Sequence, residues 1–238
     1  MTLSTEYTCC PLCGSPSCTV RYSSVARIFT PATEVVECND CGLVYLNPRL
    51  ARLGDNFSMD EEYLQRWYLP YYQKLGLLTE AQELDRERNR QFHQGALLQM
   101  QDYRQTNRVL DVGCAIGLFL AAAQAEGWQS YGVEPSSHLA AYGRERFGLS
   151  IAEGELSQAN FPPGYFDVVT LWDVTEHLLD PVATYQAVNR VLRPGGLLLL
   201  RMPNWYSLAR ELLGPDWDMF VTDHFSYFNP SCYLAKVG

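Results

Sequence analysis

The sequence has no apolar run near the roughly 18 residues that a membrane-spanning helix needs. The longest candidate, Leu197 to Leu200, is closed by Gly196 on one side and Arg201 on the other. Residues Met1 to Glu6 lack the basic region and apolar stretch of a secretory leader, so the sequence reads as a soluble, cytoplasmic chain. Basic charge is scarce as well: 18 Lys and Arg stand against 27 Asp and Glu, a net charge of -9. The densest basic stretch, Asp85 to Arg90, alternates Arg86, Arg88 and Arg90 with acids, as on a solvated helix face. A chain of this sign without a basic cluster repels a phosphate backbone, which disfavours nucleic acid as a partner. With 47% hydrophobic and 19% charged residues over 238 positions, disorder and collagen-like repeats are excluded. The length suffices for one α/β core and an appendage.

Cysteine is concentrated at one end. Six of the eight, Cys9, Cys10, Cys13, Cys18, Cys38 and Cys41, fall in the first 41 residues. Two pairs, Cys10-Pro11-Leu12-Cys13-Gly14 and Cys38-Asn39-Asp40-Cys41-Gly42, have the spacing that turns both sulfurs toward one ion, and each is followed by glycine. The 24 residues between Cys13 and Cys38 accommodate a strand pair, such as Thr19 to Ile28 and Glu34 to Glu37. This outlines a zinc ribbon over residues 1–50 with a structural Zn²⁺ on Cys10, Cys13, Cys38 and Cys41. Disulfides are the competing reading, disfavoured in a reducing compartment. Cys9 and Cys18 remain as alternative ligands.

Residues 51–106 read as a helical linker or lid. Tyr63, Trp67, Tyr71 and Leu75 repeat every four residues, with Leu64, Tyr68 and Tyr72 on an adjoining stripe. Such an aromatic side either packs on the main domain or closes over a cationic ligand. Pro70 predicts a kink, and a second, mostly polar helix is expected from about Thr79 to Tyr103.

From Arg108 the pattern changes to strands alternating with helices, near Val109, Tyr131, Ser150, Val168 and Leu198, which predicts a mostly parallel sheet. The first strand, Arg108 to Val112, runs into Gly113-Cys114-Ala115-Ile116-Gly117 and then a helix closed by Gly127. The second ends on Glu134, 17 residues beyond Gly117, where a carboxylate can accept both hydroxyls of a ribose. Asp180-Pro181 starts a further helix, and Pro194-Gly195-Gly196 ends it.

These residues resemble the class I S-adenosylmethionine-dependent methyltransferases, and more narrowly a bacterial group with an amino-terminal zinc-binding module. The resemblance runs from Cys10 to about Phe228. Asp111, Gly113 and Gly117 match the family's first motif, with Ala115 in place of its middle glycine, and Glu134 matches its ribose-binding acid. Glu155-Leu156 match the adenine-holding position, Phe166 to Val169 the fourth strand, and Val191 to Gly196 the turn before the fifth. The resemblance implies a Rossmann-like doubly wound α/β domain over residues 107–238, S-adenosylmethionine as cofactor, and a crevice lined by Asp111, Glu134, Glu155 and Trp172. Family members continue past Leu234 to Gly238 into two further strands, so the expectation is a truncated sheet whose fifth strand is an exposed edge open to self-association.

Methyl transfer to oxygen or carbon requires a base. His177, just after the fourth strand, and His224, in Asp223-His224-Phe225-Ser226-Tyr227-Phe228, are the candidates. The second segment is similar to one in zinc-containing sugar C-methyltransferases, although Asp223 replaces the usual glutamate. The acceptor is thus expected to be a small molecule, either sugar-type or a secondary-metabolite intermediate. Two alternatives carry other substrates or none: an RNA methyltransferase using the ribbon for contact, and a non-catalytic scaffold that binds a protein partner. Residues 1–50 hold Arg21, Arg27 and Arg49 against Glu6, Glu34, Glu37 and Asp40, a balance of 3 − 4 = -1 that argues against RNA.

Overall fold

A computed structural model describes residues 4–25, 33–51 and 59–232. Arg27, Ile28 and the stretch from Leu234 to Gly238 lie outside the described residues. In chain order the elements are β1 (Thr5–Glu6), β2 (Cys18–Tyr22), β3 (Glu34–Cys38), β4 (Val44–Asn47), β5 (Arg49–Leu50), α1 (Glu61–Tyr63) and α2 (Leu69–Lys74). Then come α3 (Arg86–Met100), β6 (Arg108–Val112), α4 (Leu118–Ala125), β7 (Gln129–Glu134), α5 (Ser137–Phe147), β8 (Ser150–Glu153) and β9 (Phe166–Trp172). The last are α6 (Pro181–Val191), β10 (Leu192–Arg201), α7 (Leu208–Leu213) and β11 (Ser226–Tyr227).

The chain forms two compact units that do not follow its linear order. The sequence divided it at residues 50 and 106; the units instead comprise Met1–Phe57 with Asp173–Tyr185 and Arg201–Gly238, and Ser58–Trp172 with Gln186–Leu200.

The second unit holds a five-stranded sheet of order β10-β9-β6-β7-β8, in which the β6–β7, β6–β9 and β7–β8 pairs are parallel. Its strands read as near-continuous apolar runs because helices cover both faces. Val109, Leu110, Val168 and Val169 have no exposed surface. On α4 three consecutive alanines, 121 to 123, are buried. α5 starts with Ser136 Oγ accepting the Leu139 N–H and ends at Gly148 in the left-handed region. Asp167, fully buried on β9, accepts the N–H groups of Gln105, Thr106 and Asn107 at 2.7–2.9 Å and the Arg193 guanidinium at 2.6 Å. It ties the entry to β6 to the start of β10. That strand begins at Leu192, so the expected Pro194-Gly195-Gly196 turn is its bent first half, with Gly195 at φ +71°.

The helical segment differs in phase from its sequence pattern. Between α1 and α2, residues Leu64–Tyr68 form a π-helical turn, closed by the Leu69 N–H on the Leu64 carbonyl. It precedes Pro70, which has no N–H to give. Leu64, Leu69, Tyr68 and Tyr72 pack with Ile116, Leu118 and Leu139, while Trp67 and Tyr71 are 70% and 57% exposed. The polar second helix begins at Arg86, with Asp85 as its cap.

In the first unit, β2, β3 and β4 of the cysteine module are joined by β11, giving the antiparallel order β11-β4-β3-β2. Strand alternation sends Val36, Cys38 and Tyr45 to one face, with Leu12, Phe228 and Cys232. It sends Val35, Val44 and Leu46 to the other, with Trp205, Trp217, Phe220 and Tyr227. The sheet's inner strands β3 and β4 are therefore buried on both sides, while β2 at the edge is largely exposed.

Candidate functional site

Among the described residues, three clusters of functional side chains occur, one in the parallel-sheet unit and two in the cysteine unit. The first forms at the carboxyl ends of β6 and β7. Gly113 and Gly117 have φ +69° and +80°, and Ala115 between them also lies in the left-handed region at +50°. The Gly113 and Cys114 N–H groups bond the Val133 carbonyl, which fixes the loop against β7. Glu134, 4% exposed, receives the Ala115 N–H on Oε2 and the Ser136 N–H on Oε1, both at 2.8 Å. Burial raises its carboxyl and these two N–H groups oppose the rise. Asp111 is 2% exposed, and its Oδ1 accepts the Thr170 hydroxyl at 2.7 Å.

The Gly154 N–H on the Glu134 carbonyl at 3.0 Å links the end of β8 to this site, leading to exposed Glu155 and buried Leu156. Trp172 ends β9 with its ring 5.2 Å from that of Phe119, in a core shared with Leu97 and Met100. Asp111, Gly113, Ala115, Gly117, Glu134, Glu155, Leu156 and Trp172 thus all lie at strand ends of one unit. The stripe of Tyr68 and Tyr72 also belongs here: burial, Tyr72 and the Glu134 carboxylate together push the Tyr68 phenol well up.

The second cluster is the four cysteines. Sulfur atoms of Cys10, Cys13, Cys38 and Cys41 lie within 4.8 Å of one another, with Cys10–Cys41 and Cys13–Cys38 at 3.5 Å. The two knuckles repeat one geometry. Gly14 and Gly42 sit at φ +74° and +75°, donating to the Cys10 and Cys38 carbonyls, and the Cys10 and Cys38 N–H groups reach Ser15 and Leu43. Burial pushes the Cys41 thiol up to about 12 and Cys10 higher. Cys38, although burial raises it too, is brought down to about 7 by the N–H groups of Cys41 and Asp40. Zinc–thiolate bonds of about 2.3 Å imply a tetrahedron edge of roughly 3.8 Å, which this set fits with little movement. Cys9 is exposed and, like Cys18, falls outside the cluster.

The third cluster joins both candidate bases. The His177 and His224 rings meet edge to face, 4.7 Å between centroids. Nδ1 of His177 bonds the Asp223 carbonyl at 2.8 Å, and Nδ1 of His224 bonds the Met219 carbonyl at 2.9 Å. Burial and the neighbouring His177 bring His224 down to about 4. Beside them is Glu176, 2% exposed and raised by burial to about 8. Its dipeptide with His177 was visible in the sequence; its burial, made by the segment at Phe225 whose N–H bonds the Glu176 carbonyl, was not.

A family model described as "Methyltransferase domain" matches residues 78–233, well over half of the chain. The chain belongs to this methyltransferase-domain family. Among curated relatives, a ubiquinone biosynthesis O-methyltransferase of Methylococcus capsulatus is 32% identical over 103 residues, covering 41% of this chain and 44% of that protein. Another of the same description, from a Bradyrhizobium strain, is 31% identical over 137 residues, covering 48% and 53%. The chain thus spans about half the length of the curated relatives it matches. A solved structure from Thermotoga maritima, described as a SAM-dependent methyltransferase and possible histamine N-methyltransferase, covers 73% of this chain and 76% of its own. Its TM-score is 0.50 at 18% identity, a likeness of fold. The methyltransferase match begins at Leu78 and so leaves out the cysteine module.

Proposed function

We propose that this methyltransferase-family chain transfers a methyl group from S-adenosylmethionine to oxygen or carbon of a small acceptor, either sugar-type or a secondary-metabolite intermediate. The observation that carries the reading is the left-handed loop from Gly113 to Gly117 set against buried Glu134, with the Ala115 N–H 2.8 Å from Oε2. The residues suit the cofactor. Glycine and alanine keep side chains away from the loop backbone, and each Glu134 oxygen retains a lone pair for a ribose hydroxyl. Glu155 and the Leu156 N–H are assigned to adenine, and Asp111, Gly113, Ala115, Gly117 and Trp172 to the remainder of the cofactor. Curated relatives described as O-methyltransferases favour oxygen as the acceptor atom.

When bound, the cofactor supplies a methyl group on a sulfonium. This chain's residues would bind it, hold the acceptor in line with that methyl group, exclude water, and provide a base that takes up the acceptor's proton and with it the positive charge. His224 is proposed as that base, with His177 as the second candidate: a Nδ1–H held by a backbone carbonyl leaves Nε2 to accept the proton. Cys10, Cys13, Cys38 and Cys41 are proposed to hold a structural Zn²⁺.

Calorimetric titration with S-adenosylhomocysteine tests the cofactor assignment. Wild type should bind at micromolar affinity, about −8 kcal/mol. Asp111→Ala and Glu134→Ala should each weaken binding by about tenfold or more, roughly 1.4 kcal/mol. Unchanged affinity in both folded variants would overturn it.

A further inference from the structure

Glu176, His177 and His224 come from two segments separated by more than forty residues, yet one ligand atom from each lies within 4.8 Å of the others. The set resembles neither a solvated surface cluster nor an ordinary core contact. A carbonyl oxygen can only accept, so the bonds from Nδ1 of His177 to Asp223 and of His224 to Met219 fix the hydrogen on Nδ1 in both rings. Nε2 then carries the lone pair in both. A carbonyl behind Nδ1 is the outer arrangement found behind metal-bound imidazoles, and His177 has in addition the Asp223 carboxylate at 3.5 Å. Glu176 supplies the independent observation: its side chain is almost entirely buried, and Oε2 has no hydrogen-bond partner. Neither imidazole lies at hydrogen-bond distance from this oxygen, so the three groups converge without bonding one another. A cation remedies it directly.

We propose that Glu176, His177 and His224 form a second metal site, distinct from the four-cysteine site, that takes a borderline divalent first-row cation such as Zn²⁺. Two imidazoles and one carboxylate are three ligands, so a tetrahedral ion keeps one position open for an oxygen ligand. Thiolate-poor donors of this kind differ in chemistry from the closed Cys10, Cys13, Cys38, Cys41 set, which leaves no open position. The base role proposed above needs Nε2 of His224 free and so belongs to the chain without this cation; the cation site stands independently of that role.

The test uses the full chain, saturated with Zn²⁺ and freed of excess by gel filtration, with zinc per chain measured by elemental mass spectrometry. Wild type is expected to hold two zinc ions and Glu176→Gln one. The same preparation, labelled with ¹⁵N, reads the imidazole nitrogens of the unmutated protein during zinc addition. The Nε2 resonances of His177 and His224 should shift while both Nδ1–H groups persist. A wild type that saturates at one zinc, or two zinc ions with no movement of either Nε2, overturns the proposal. Both readouts are independent of methyl transfer, so loss of cofactor binding would sink the functional reading and leave the cation site standing.

Discussion

Asp167 shows how one residue acquires a measurable role. Although burial alone would raise its carboxyl, the Arg193 guanidinium and three backbone N–H groups hold it below the ordinary value of 3.8. Asp167→Asn should destabilise the protein by about 1–3 kcal/mol at neutral pH, read by urea unfolding. Because the folded-state value is depressed, this contribution is complete above pH 3.8 and is lost as pH falls through the folded value. The gap between wild type and variant should therefore close only in acid. Gly117 is constrained differently: its φ is +80°, and a Cβ there would collide with Leu149 Cδ1. Gly117→Ala should cost about 1–3 kcal/mol in the same assay. Asp111, Gly117 and Glu134 were legible from sequence because a strand, a glycine turn and an acid at fixed spacing are local signals. Glu176 was not, since its isolation from water depends on chain near Phe225.

At the scale of elements, β6 to β9 and the helices between them were legible because apolar runs and caps repeat in order. The aromatic segment was misread for a geometric reason. A four-residue repeat assumes 3.6 residues per turn, whereas the π-helical turn at Leu64–Tyr68 widens one turn and shifts the phase. The stripe of Tyr68 and Tyr72 is consequently half-buried against the core while Trp67 and Tyr71 face solvent. The cysteine knuckles were legible as a metal-type motif, but the two-sided burial of β3 and β4 was not. Stripping metal with a strong chelator should leave four clustered thiols without a common partner and loosen this sheet. The expected result is loss of near-ultraviolet circular dichroism from Trp205 and Trp217, with a separate, lower melting transition for the cysteine unit. Cys13→Ser should reproduce it without chelator.

The largest departure concerns the whole molecule. Sequence order suggested a ribbon, a linker and a catalytic domain, each a continuous piece. Instead the aromatic core around Trp205, Trp217, Phe220 and Tyr227 is completed by Val35, Val44 and Leu46 from the cysteine module. A fragment starting at residue 59 should thus expose that aromatic face, bind a hydrophobic dye strongly and precipitate. A separable ribbon would leave a clean, soluble remainder.

The pairing of β11 with β4 also sets a schedule. On the ribosome, Tyr45 is made 181 residues before its β11 partner Ser226 (226 − 45), a wait of roughly 9 to 36 s at ~5–20 residues per second. Through that interval the nascent cysteine knuckles have no finished sheet to shelter in. A metal ion captured early would hold Cys10, Cys13, Cys38 and Cys41 together while the edge of β4 waits for its late partner, making metal supply during translation a determinant of yield.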